Sequence, residues 1–172
     1  MYYYTYYESP IGKIVLANDG DSLVGLWFEG QKYFPDAFLK QAAEKDNMPV
    51  FKCTKDWLDR YFAGKRPLPE ELPLSPAGSD FRRMIWKYLC EIPYGELTTY
   101  GTLAGKIVQS LGKKSMSAQA VGGAVSHNPI SIIIPCHRVV GTNGSLTGYA
   151  GGLERKIHLL TLEGVDMKKV KL

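Results

Sequence analysis

The stretch KRPLPEELPLSPAGS, residues 65–79, sets four prolines between Lys65 and Ser79. Proline fixes its own φ, lacks an amide proton and pushes the residue before it into extended conformations. Neither a helix nor a central strand can run through such a segment, so the chain is divided here. The sequence predicts a domain over residues 1–65, a stiff linker over 66–78 and a second domain over 79–172.

The two sides differ in texture. Upstream, YYYTYY, KIVLAN and SLVGLWF read as strands, with turns at Ser9-Pro10 and at NDGD. A helix is expected from Pro35 to Lys45, with Phe38, Leu39 and Ala42 as its apolar side. Another is expected after Thr54 as N-cap, with Trp57, Leu58, Tyr61 and Phe62 in step and Gly64 and Pro67 as its stop. Downstream the periodicity is helical. Ser79 caps a stripe of Phe81, Met84, Ile85, Tyr88 and Leu89; Thr98 or Thr99 caps Tyr100, Leu103, Ala104 and Ile107; QSLGKKSMS then leads to AQAVGGAVSH. Two short helices joined by a turn form a helix-turn-helix. The expected fold is therefore α+β: a small N-terminal α/β domain with a short antiparallel sheet, then a mainly helical, winged-helix-like domain.

Charge follows the same division. The net charge of +4 resolves into −2 for residues 1–78 and +6 for residues 79–172, which points the second half at a polyanion. No apolar run nears the roughly 18 residues that span a bilayer. MYYYTYYESP has neither a basic leader nor an apolar core, so no membrane role and a cytoplasmic location are expected. Cys53, Cys90 and Cys136 are too few and too far apart for a disulfide framework or a CxxC zinc site. The N-terminal part holds no histidine, so neither metal nor cofactor is expected.

Two features carry chemistry. The third downstream helix shows Ala118, Ala120, Gly122, Gly123 and Ala124, although each mid-helix glycine costs about 1 kcal/mol relative to alanine. Tight helix packing and close approach of a ligand both account for so bare a face. The second is NPISIIIPCHRVVG, residues 128–141. ISIII reads as a buried strand that Pro135 ends, presenting Cys136. An ordinary thiol, with a pKa near about 8.5, is mostly protonated at neutral pH, so a nucleophilic cysteine needs a base. His137 is the nearest. A base needs an orienting partner, and Glu163 stands at the end of a helix containing Leu153, Ile157 and Leu160, where the macrodipole disfavours a carboxylate. That cost points to a buried partner such as the imidazole. By residue type alone, Cys, His and Glu admit a thiol hydrolase as readily as a transferase.

IPCHRVVG, preceded by AVGGAVSHNPI and followed by LTGYAGGLERKIHLLTLEG, resembles the O6-alkylguanine-DNA alkyltransferases, over essentially all of residues 79–170. The resemblance implies direct-reversal DNA repair, with Cys136 accepting the alkyl group of O6-alkylguanine once and irreversibly. It makes His137 a base acting through a bound water, Glu163 the group that orients it, Asn128 a brace for the turn, and Tyr100 a proton source for the leaving guanine. Tyr149, the Val139 and Ala150 backbone, Gln119 and Arg138 become substrate-binding residues. The implied partner is double-stranded DNA containing O6-alkylguanine, bound through the minor groove by a monomer associated with the nucleoid. One position departs from the family pattern: Gln119 stands where many relatives carry an arginine that fills the space of the flipped base. Lys113 and Lys114 are then expected to add phosphate contacts. A lesion-binding protein that does not react is the alternative, against which Cys136 itself speaks.

Overall fold

The computed structural model describes all 172 residues, which fall into two compact units. Unit one contains Met1–Ala77 and, from far downstream, Pro129–Ile133; unit two contains Gly78–Asn128 and Ile134–Leu172.

Unit one is built on β1 (Tyr3–Ser9), β2 (Gly12–Asn18) and β3 (Leu23–Phe28), an antiparallel meander, with the two-residue β4 (Ala43–Glu44) added parallel to β1. Ser9 and Gly12 flank the first turn, where Gly12 takes φ +119°, a conformation open to glycine at little cost. Residues 14–18 of β2 are all buried, so both of its faces are covered. Alternation sends Val15, Ala17 and Trp27 to one face, against Phe34, Phe38 and Leu39 around α1 (Asp36–Gln41). Ile14, Leu16, Leu26 and Phe28 are left for the other face, on which α2 (Pro49–Phe62) lies with Phe51, Trp57, Leu58 and Tyr61 inward.

The structure corrects two helix boundaries. α1 stops at Gln41 because Ala43 and Lys45 turn their amides to the Tyr2 and Tyr4 carbonyls of the sheet. α2 begins at Pro49, a residue pre-set for the first helical position, so Thr54 lies inside it with its hydroxyl on the Val50 carbonyl. The proline-rich stretch runs along β3, since the Leu23 amide donates to Pro73 and the Ser75 amide to Leu23, while the Trp57 indole donates to the Leu68 carbonyl at 2.8 Å.

Residues 130–134 are buried as expected but form no strand. Only Ile130 bridges to β3, at Leu26. The chain then folds over tightly: Ile132 takes φ +71°, and the Ile133 amide donates back to Ser131 at 2.8 Å. A β-branched residue with positive φ is strained. The short distance between Pro129 and Pro135 leaves no room for a ladder.

Unit two consists of α3 (Asp80–Leu89), α4 (Tyr100–Leu111), α5 (Ala118–Ser126) and α6 (Leu153–Leu162), with β5 (Thr98–Thr99) parallel to β6 (Val139–Val140). Ser79, Thr99 and Ser117 cap α3, α4 and α5 through their hydroxyls, each contributing about 1 kcal/mol. Gly112 ends α4 in the left-handed region. α3, α4 and α5 pack together, and the Trp86 indole donates to the Ala124 carbonyl at 2.8 Å. Val140, Leu146, Leu160 and Val165 form a second apolar cluster beneath β6 and α6.

Candidate active site

Pro135 leads into a single tight turn, Cys136–Arg138, in which all three residues are buried. The Cys136 amide donates to Ile134 at 2.8 Å, and Asn128, from the end of α5, donates its side-chain amide to that same carbonyl at 2.8 Å. Asn128 also bonds the cysteine sulfur. Its single side chain therefore fixes both the approach to the turn and the thiol.

Burial pushes the Cys136 thiol up from its ordinary value, more than the Asn128 bond and the nearby Lys156 charge bring it down. At rest the sulfur is a thiol. His137 is fully buried, and burial holds its imidazole below the ordinary histidine range, so the ring is neutral. Its Nε2 lies 2.6 Å from Glu163 Oε2. Since Glu163 is ionised, Nε2 carries the proton and Nδ1 keeps a lone pair. Nδ1 is buried and receives no hydrogen bond from the protein.

Glu163 caps the C-terminus of α6 with its side chain fully enclosed. Burial alone would push its carboxyl up; the bonds from His137 and Arg138 outweigh that and hold it well below the usual carboxylate range. Arg138 donates Nε to Oε1 at 2.8 Å and Nη2 to Oε2 at 3.1 Å, a forked pairing. The Gly95 amide adds a fourth bond, to Oε1, at 3.1 Å. Gly95 has φ +80°, and a Cβ there would lie 2.9 Å from the Glu163 carbonyl, so this turn admits only glycine without strain.

Of the residues singled out in the sequence, the structure brings Cys136, His137, Glu163 and Asn128 into this one array. Tyr100 starts α4 half-buried, with its hydroxyl on Thr147 and within electrostatic reach of Cys136. Val139 follows the turn on β6, and its carbonyl accepts from Lys156 Nζ at 2.7 Å. Tyr149 and Ala150 are half-buried in the glycine-rich loop before α6, and Gln119 is exposed on the first turn of α5. Arg138 is placed otherwise than the resemblance implies. All of its nitrogens are committed, Nη1 to the Ile92 carbonyl at 2.6 Å and the rest to Glu163.

Three groups were missed. Gly95 and Ile92 act through backbone atoms, which leave no mark in side-chain identity. Lys156 did leave one: Lys156, Leu159, Leu160 and Glu163 are all buried at i, i+3, i+4 and i+7, so a lysine stands in step with a core stripe. Its ammonium, brought down to about 8 by burial, donates to Val139 and, at 3.0 Å, to the Thr147 carbonyl.

The open α5 face also resolves. A Cβ added at Gly122 or Gly123 would meet nothing within 4 Å, so internal packing does not require these glycines.

The structure sets a buried thiol and a carboxylate-anchored imidazole in a unit of short, hydroxyl-capped helices. Residues 80–165 match the family model described as "6-O-methylguanine DNA methyltransferase, DNA binding domain", and residues 2–76 the one described as "6-O-methylguanine DNA methyltransferase, ribonuclease-like domain". The methylated-DNA--protein-cysteine methyltransferase of Haemophilus influenzae is 45% identical, over 95% of this chain and 87% of its own. That of Methanosarcina acetivorans is 44% identical, over 94% of this chain and 98% of its own. The crystal structure of Mycobacterium tuberculosis OGT in complex with DNA superposes with a TM-score of 0.81 at 38% identity, covering 98% of this chain and 94% of that one. The chain belongs to the methylated-DNA–protein-cysteine methyltransferase family.

Proposed function

We propose that this chain repairs O6-alkylguanine in double-stranded DNA by moving the alkyl group to its own Cys136. The thiol proton passes to His137 Nδ1 through one bridging water. The sulfur attacks the alkyl carbon, the S–C bond forms, and the C–O6 electron pair returns to guanine, which takes up a proton with help from Tyr100. Glu163 stabilises the imidazolium formed in that step. The thioether is stable, so each molecule acts once.

The observation that carries this reading is the orientation of His137. Its Nε2 is fixed on Glu163 at 2.6 Å, and the opposite nitrogen, buried and without a protein partner, is the basic one. O6 is inaccessible in a stacked duplex, so the nucleotide is rotated out at a cost of a few kcal/mol. The bare α5 face fits a minor groove about 6 Å wide. Gln119 enters the space left by the base without the charge and planar stacking of an arginine. Exposed Lys113 and Lys114, in the turn before α5, supply phosphate attraction. No helix of the structure is long and apolar enough to cross a membrane; we place the protein in the cytoplasm with the chromosome.

The test is to mix the protein with a duplex containing O6-methylguanine, then measure intact mass and map the adduct. One methyl per protein on Cys136 is expected. Tight binding with no mass gain would make the chain a lesion binder, and clearance of excess lesion would make it a turnover enzyme.

A further inference from the structure

Glu163 has two possible counter-ions, and the structure engages both: the His137 ring and the Arg138 guanidinium. They differ in one respect. Arginine is charged at every accessible pH, whereas histidine balances a carboxylate only by taking a second proton and giving up its lone pair. A buried carboxylate with imidazole as its only cation partner favours the imidazolium, which cannot accept the thiol proton.

We propose that Arg138 is a positioning residue that holds Glu163 as an already balanced carboxylate, so that His137 rests neutral with its lone pair at Nδ1. The geometry is specific to this role. The guanidinium spans both carboxylate oxygens, at 2.8 and 3.1 Å, and its remaining nitrogen is tied to the Ile92 carbonyl at 2.6 Å. Its carbon lies 5.7 Å from the centre of the Tyr94 ring, and the next residue, Gly95, donates its amide to the same carboxylate. The Ile92–Gly95 turn thus grips Arg138 and Glu163 together. The charges acting on the imidazole come from α6 (Glu163, Lys156) and from its own turn (Arg138), in which Cys136 is its chain neighbour. On α3, which also packs on this turn, Asp80, Arg83 and Lys87 are exposed and Arg82 is half-buried. Of the groups around the ring, Arg138 is the one permanent charge bonded to its partner.

The inference rests on Cys136 being the alkyl acceptor, and its test separates the two. Single-turnover methyl transfer is followed against pH for the wild type, Arg138→Met and Arg138→Lys. Arg138→Met is expected to react at least about tenfold slower at a pH of about 6.5 and to recover toward pH about 9, because the imidazole must first lose a proton. Arg138→Lys restores the wild-type profile shape by returning the charge. An Arg138→Met profile parallel to that of the wild type, lower or not, overturns the proposal, since a merely structural loss scales the rate without moving the curve. Should Arg138→Met fail to fold, ¹⁵N spectra of the wild-type His137 ring decide. A neutral Nε2–H tautomer at neutral pH, protonated only below the ordinary histidine range, is expected, and an imidazolium at neutral pH overturns it. The spectra need no DNA, so a protein that transfers no methyl group would refute the Cys136 reading while leaving this one decided separately.

Discussion

Glu163 occupies a helix C-terminus, where the backbone dipole opposes a negative charge, and it stays ionised only because four donor bonds converge on it. Glu163→Gln keeps the shape but removes the charge that, in the proposed reaction, steadies the imidazolium. Transfer is expected to slow by about 10² or more, while affinity for lesion DNA, measured with the unreactive Cys136→Ser background, stays within about twofold of the same background with Glu163 intact. Lys156 permits a pH prediction with a definite sign. Its folded pKa of about 8 lies below its ordinary 10.5, so between these values the unfolded chain binds a proton that the folded chain does not. Stability linked to this lysine therefore rises with pH across that window, by about 2–3 kcal/mol. Urea unfolding of the wild type and Lys156→Met from pH about 8 to about 10.5 should show the wild type gaining on the variant by that amount; a constant difference would refute it.

In unit two, side-chain signals made helix starts legible: Ser79 caps where the sequence placed a cap, and of the two candidates Thr98 and Thr99 it is Thr99 that caps. The failures came where backbone partners decided. Thr54 resembles a cap but sits inside α2, and ISIII has the composition of a strand but lacks the length to pair as one. α5 carries the clearest prediction at this scale. The positions of Gly122 and Gly123 are open and inside a helix, so alanine at both should raise helix stability by about 1 kcal/mol each. The same methyl groups would stand on the face that we propose approaches the groove. The double variant is expected to melt higher and to bind duplex DNA more weakly. Higher melting with unchanged affinity would remove α5 from the interface. Gly25 gives the opposite case within unit one: a Cβ there would fall 1.9 Å from the Trp27 ring, so Gly25→Ala is expected to lower the melting temperature.

For the whole chain, the sequence displays its proline-rich stretch and its Cys-His pair directly, because both are local signals. It did not show that residues 129–133 return to the first unit, since pairing between Leu26 and Ile130 joins positions a hundred residues apart and leaves no periodicity in either. That return bears on the site. The Leu26 amide donates to Pro129 at 2.8 Å and the Ser131 amide to Leu26 at 3.2 Å, while Ile130, Ile132 and Ile133 are buried. Asn128 closes the base of this excursion by bonding Ile134, two residues before Cys136. Residues 129–133, which precede Cys136 in the chain, thus have their partner strand in the first 77 residues. A fragment beginning at Gly78 keeps Cys136, His137, Arg138 and Glu163 but leaves the three isoleucines without β3. The strained turn at Ile132, φ +71°, then has nothing to hold it. The fragment is expected to retain helical circular dichroism yet transfer methyl groups at least about tenfold more slowly than the full chain. Adding residues 1–77 as a separate chain should restore part of the rate. A fragment as fast as the whole protein would show that the second unit positions its nucleophile alone.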